Sequence, residues 1–100
     1  MSRVLASVGI FVEKSRKNDA LAGLYNIEEV EEIYDVTGEF DILSIVSADS
    51  LDELRETLRE KIMKVAGVHN AITNIILQPH RLAGKDETLA TPVPAKSRPP

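Results

Sequence analysis

The chain contains no cysteine, which excludes disulfides and thiolate metal sites. Its only histidines are His69 and His80. Neither has a plausible ligand partner nearby in sequence, so each reads as a surface imidazole rather than a catalytic one. There is no Gly-rich phosphate loop, no nucleophile elbow and no His/Asp metal spacing. Enzymatic chemistry therefore has little to stand on, and no cofactor is expected. Basic residues are also in short supply: 12 Lys and Arg face 16 Asp and Glu, for a net charge of −4. A duplex-DNA or anionic-membrane surface would need clustered cations instead. No apolar run approaches a membrane span, and the N-terminus lacks the apolar core of an export signal. These features lead us to expect a cytoplasmic protein with no membrane contact and no direct DNA binding.

What is present is a modest globular domain. Of 100 residues, 43% are hydrophobic, enough for one small core. Val4 to Glu13 alternates. Val4, Ala6, Val8, Ile10 and Val12 make one fully apolar face, and Leu5 and Phe11 make the other half apolar, so both faces should be covered. Ser15 to Leu24 reads as a short helix, capped by Ser15 or Asn18, with Ala20, Leu21 and Leu24 toward the sheet. Glu29 to Val36 is a charged strand suited to an exposed edge. The acidic run from Glu28 to Glu32 reads as a solvated face, because a metal site needs convergent oxygen ligands.

The stretch Val36-Thr37-Gly38-Glu39-Phe40-Asp41 organises the chain. Gly38 can take positive φ without a Cβ penalty, which makes a hairpin between Glu29–Val36 and the strand Phe40–Ala48. Asp41 sits where the second strand begins, outside the core. Ser50 and Glu53 form a capping box. Leu51, Leu54, Leu58, Ile62 and Val65 follow at helical spacing as a core stripe, and Gly67 ends the helix. Ala71 to Gln78 is the last strand, stopped by Pro79. Two units follow: a domain over 1–79, and a Pro-rich tail over 80–100 with Leu82 or Leu89 as possible anchors.

The order is strand, helix, strand, strand, helix, strand. It predicts an α+β, ferredoxin-like βαββαβ fold: a four-stranded antiparallel sheet with both helices on one face. The other face is left bare, and its apolar residues predict a sheet-to-sheet dimer.

The Gly38-Glu39-Phe40-Asp41 hairpin, the helix Ser50 to Val65, Gly67-Val68 and Thr73 come in a set order. Together they resemble the effector (RAM) domain of the Lrp/AsnC feast/famine regulators, over about Val4 to Gln78. The resemblance implies a regulatory domain that dimerises through its sheets and assembles into rings, commonly octamers. It implies an amino-acid effector bound between dimers near the hairpin. Asp41 would accept from the ammonium group, while the Thr37-Gly38-Glu39 amides and the Thr73 hydroxyl would meet the carboxylate. Two departures are visible. The chain begins at the first strand, with no helix-turn-helix before it, so action through a full-length regulator is expected. Ala71 stands where the family has the first threonine of a Thr-x-Thr. Three other readings fit the topology: a pure assembly module that binds nothing, an ACT-type regulatory domain, and a dimeric α+β-barrel enzyme. The last lacks a polar constellation on the open sheet face.

Overall fold

The computed structural model describes residues 3–83. Strands β1 (Val4–Val12), β2 (Val30–Asp35), β3 (Ile42–Ala48) and β4 (Val68–Ile76) form one antiparallel sheet in the order β2-β3-β1-β4. Helices α1 (Lys17–Tyr25) and α2 (Leu51–Thr57) occupy the two crossovers. This is the ferredoxin-like arrangement. Of the expected tail, residues 80–83 are exposed; its remainder and Leu89 lie outside the described residues.

The core follows from the alternation of β1. Ala6, Val8 and Ile10 are completely buried and pair with Val46, Ser44 and Ile42 of β3. Ala20 and Leu24 of α1, and Leu54 of α2 with Ile62 just beyond it, close over them. Ser44 is a polar residue inside this layer. Its Oγ donates to the Val8 carbonyl at 3.2 Å, which removes the cost of an unsatisfied hydroxyl.

Several boundaries differ from the sequence reading. Lys14–Arg16 forms a 3₁₀ turn before α1, and Arg16 is the N-cap without a side-chain cap bond. Ser15 and Asn18 therefore cap nothing, because the tight turn moves the helix start between them. The Ser50 cap forms, accepting from the Glu53 amide at 3.1 Å. The Glu53 carboxylate reaches the amide of Asp49 at 3.3 Å rather than that of Ser50. Beyond Thr57 the helix widens into a π turn over Leu58–Ile62, with the Met63 N–H donating to the Leu58 carbonyl at 2.9 Å. The extra residue keeps Leu54, Leu58 and Ile62 in line toward the sheet. Leu51, expected in that stripe, is 45% exposed, since it lies in the first turn beyond the sheet's cover. Gly67 ends the segment at φ 91°. Its carbonyl accepts from the Glu13 amide at 2.9 Å, and a Cβ there would sit 3.0 Å from the Arg16 carbonyl oxygen.

Phe40 belongs to no strand. Its ring folds back over Gly9 and meets Phe11 edge-on at 5.4 Å between centroids. Gly9 supplies the space: a Cβ there would lie 2.5 Å from the ring. The row through Gly9 pairs it with Leu43 on one side and Ile72 on the other, with Tyr34 opposite Leu43. This is the face that the helices leave open. Ile72 is 41% exposed and Tyr34 48% exposed on it, and Leu5 stands nearby on β1.

Candidate functional site

The hairpin between β2 and β3 forms as its sequence dictates. Gly38 has φ 136° with nothing within 4 Å of a Cβ position, so its role is conformational. The Val36 amide donates to the Asp41 carbonyl at 3.2 Å and closes the loop. Thr37, Gly38 and Glu39 are exposed at its tip.

Asp41 stands immediately before β3, at the strand end expected, and is tied into the sheet. Its own amide donates to the Ile10 carbonyl at 3.0 Å. Its carboxylate Oδ2 accepts the backbone N–H of Val12 at 2.9 Å. The reason lies in the ladder. Pairing between β1 and β3 ends at Ile10–Ile42, yet β1 runs on to Val12. The next N–H on that side has no strand carbonyl opposite, and the Asp41 side chain takes its place. Asp41 thus holds the end of β1, with Oδ1 remaining for another donor.

Thr73 lies elsewhere. It pairs with Val8 on β4, the edge strand beyond β1, in the row that faces the helices. It lines an open groove of about 450 Å³ between α2 and β4. Ala71 and Asn70 share that floor, while Leu58, Met63, Arg55 and Arg59 make the opposite wall. None of the hairpin residues lines this groove. One chain therefore presents two separate parts, a hairpin with Asp41 and a groove with Thr73. The sequence reading did not single out Arg55 and Arg59. Their spacing along the helix was the available signal, since it puts both on one flank.

A second set of concavities flanks α2 on its β2 side. A 240 Å³ hollow is lined by Arg3, Glu28, Glu29, Asp49 and Glu53, with Thr57 at its base. An adjoining 370 Å³ trough adds Glu56, Glu60 and Lys61. The acidic run is used piecemeal. Glu29 accepts two bonds from Lys61 Nζ, at 2.9 and 3.0 Å, and this ammonium holds the Glu29 carboxyl below its ordinary range despite some desolvation. Glu31 accepts from Ser47 at 2.6 Å, and Glu32 accepts from the Tyr34 hydroxyl at 2.6 Å. That last bond pushes the phenol upward. Among the described residues no group of three or more His, Asp or Glu is arranged to hold a metal. No helix among them is long and apolar enough to cross a membrane.

Fold, hairpin and groove can be set beside known proteins. Residues 5–84 match the Lrp/AsnC ligand binding domain. The chain belongs to that family. The RAM domain described here is similar to the HTH-type transcriptional regulator Ptr1 of Methanocaldococcus jannaschii, 28% identical over 75 residues. That match takes in 75% of this chain and 51% of Ptr1, so the chain spans about half the length of this curated relative. The structure of Escherichia coli AsnC superposes with a TM-score of 0.75 at 31% identity, over 79% of this chain and 54% of AsnC. The feast or famine regulatory protein Rv3291c of M. tuberculosis, solved in complex with L-methionine, gives a TM-score of 0.68 at 35% identity. It is matched over 76% of this chain and 51% of its own. The Lrp/AsnC resemblance and the ferredoxin-like fold read from the sequence both hold. These relatives are transcription regulators, and this chain carries their ligand-binding regulatory domain.

Proposed function

We propose that this RAM domain senses an amino acid and passes the signal on through assembly, in an Lrp/AsnC-type transcription system. The observation that supports it is the division of the ligand-facing groups. The amides of the exposed residues Thr37, Gly38 and Glu39, with Asp41 Oδ1, lie at one place; the Thr73 groove lies at another. A zwitterion needs both an acceptor for its ammonium and donors for its carboxylate. The hairpin offers both, and two copies that bring the hairpin of one near the groove of the next add the Thr73 hydroxyl as a further donor to the carboxylate. The open sheet face, with Leu5, Ile72 and Tyr34 exposed, is the surface through which copies first pair, and pairs then join into a larger ring. A full-length regulator of the same family is the partner on which this assembly acts, in the cytoplasm.

The test is a thermal-shift screen against the twenty amino acids, followed by calorimetry on the best binder. One or more amino acids should raise Tm. Asp41→Asn, which keeps an acceptor oxygen for Val12 but removes the charge, should weaken binding about ten- to a hundredfold, the loss of a charge-assisted bond. If no amino acid binds, sensing is wrong. The second reading, an assembly module without ligand, is favoured by one observation: the Asp41 carboxylate already has a structural partner in Val12. That reading predicts a flat screen with assembly intact.

A further inference from the structure

The two flanks of the α2 segment carry opposite charge. On the β2 side the trough is lined by Glu29, Glu53, Glu56 and Glu60, with Lys61 engaged by Glu29 and Lys64 pairing with Glu60 at 3.3 Å from the outer edge. On the β4 side the groove holds Arg55 and Arg59 and no acidic residue. The apolar lining of that groove, Leu58, Met63 and Ala71, gives an interface something to bury besides charge. The partners of the two arginines on their own chain are exposed ones. Arg55 lies 3.9 Å from Asp52 and Arg59 lies 3.2 Å from Glu60, and both are more than two-thirds solvent-exposed. Exposed pairs of this kind are weak and readily exchanged.

We infer that the two flanks mate between copies of this chain: the Arg55 and Arg59 flank of one copy enters the Glu53, Glu56 and Glu60 trough of the next. The contact is head-to-tail. A patch that pairs with a different patch on an identical neighbour leaves one of each unsatisfied at the ends, and so it propagates until the series closes into a ring. This is unlike the open sheet face, which pairs with itself and stops at two copies. The charge also sets the direction of addition, since acid meeting acid or arginine meeting arginine is repelled. The inference rests on the assembly reading above and specifies its second contact. Bringing the β4-side groove of one copy against a neighbour also puts Thr73 at a boundary between chains.

The experiment is a charge swap read by size-exclusion chromatography with light scattering. Wild type should run as an assembly larger than a dimer and shrink toward a dimer near 1 M salt, where the screening length falls to about 3 Å. Arg55→Glu/Arg59→Glu makes both flanks acidic, and Glu56→Arg/Glu60→Arg makes both basic; each alone should stop at the dimer. Glu53 is left in place because it serves the helix cap. An equimolar mixture of the two variants, in which acidic copies alternate with basic ones, should restore the larger species, as should one chain carrying all four changes. Thermal melts confirm that each variant is folded, and the mixture supplies the readout if one variant alone is weakened. If wild type assembles and both variants assemble equally well, the flanks are not the contact and this inference falls alone. If wild type never exceeds a dimer, the ring reading falls with it.

Discussion

The Asp41 carboxylate stands in for a missing strand carbonyl, accepting the Val12 N–H at 2.9 Å where β1 outruns β3. The residue that the family resemblance assigns to ligand thus also fastens the end of the central strand. Asp41→Ala leaves a partly buried amide without an acceptor and should destabilise the fold by about 1.5–3 kcal/mol, as for a hydrogen bond to a charged group. Asp41→Asn should cost visibly less, because its amide oxygen can still accept. Urea titration of the three proteins checks this; equal stability of wild type and Asp41→Ala would mean that the Val12 bond contributes nothing.

Gly9 and Phe40 are matched by shape. A methyl at position 9 would press to 2.5 Å from the ring, so Gly9→Ala must push Phe40 off the sheet and away from Phe11. Overpacking of this kind costs about 1–3 kcal/mol. Phe40→Ala removes the obstacle, so the Gly9→Ala penalty should largely vanish in the Phe40→Ala background. A double-mutant cycle measures that coupling. Additive effects would show that the contact is not what fixes Gly9.

Ser50 caps α2 by accepting the Glu53 amide. Ser50→Ala should lower stability by about 1 kcal/mol, within the usual range for a lost N-cap, while Ser50→Asp should retain most of it. Because α2 carries both charged flanks, the far-ultraviolet signal at 222 nm should fray first in Ser50→Ala on heating. A Ser50→Ala melt that overlays wild type would show that the cap is redundant with packing of Leu54.

Glu29 is held below the ordinary carboxylate range by Lys61, and Lys61 is raised in turn. For a carboxyl whose folded value is depressed, the stabilisation is present above its unfolded value and disappears as pH falls through the folded one. For the raised ammonium it is present below the unfolded lysine value and is lost in strong alkali. Glu29→Gln should therefore be less stable than wild type near neutrality, and the two urea midpoints should converge between about pH 5 and about pH 3, where carboxylates titrate. The pair is partly exposed, so the difference is small and shrinks with added salt. An offset that does not change with pH would assign it to lost packing instead.

The sequence by itself determined the fold class. Period-two alternation in Val4–Val12, the positive-φ glycines at 38 and 67, and the Ser50 cap are local signals, each legible because backbone sterics and amide satisfaction act over a few residues. The bare face of the sheet was legible too, from Leu5 and Phe11. Tertiary structure alone decided the rest. The Val12 amide that engages Asp41 is 29 positions away along the chain, and its need arises only because one strand is longer than its neighbour. Phe40 leaves the strand its apolar run suggested, since the hollow above Gly9 exists only once β1 and β3 are paired. Leu51 falls outside the core because the first turn of α2 lies beyond the reach of the sheet, which sets where burial begins. Thr73 and the hairpin part company for the same reason: strand order, which no local pattern encodes, places β1 between them.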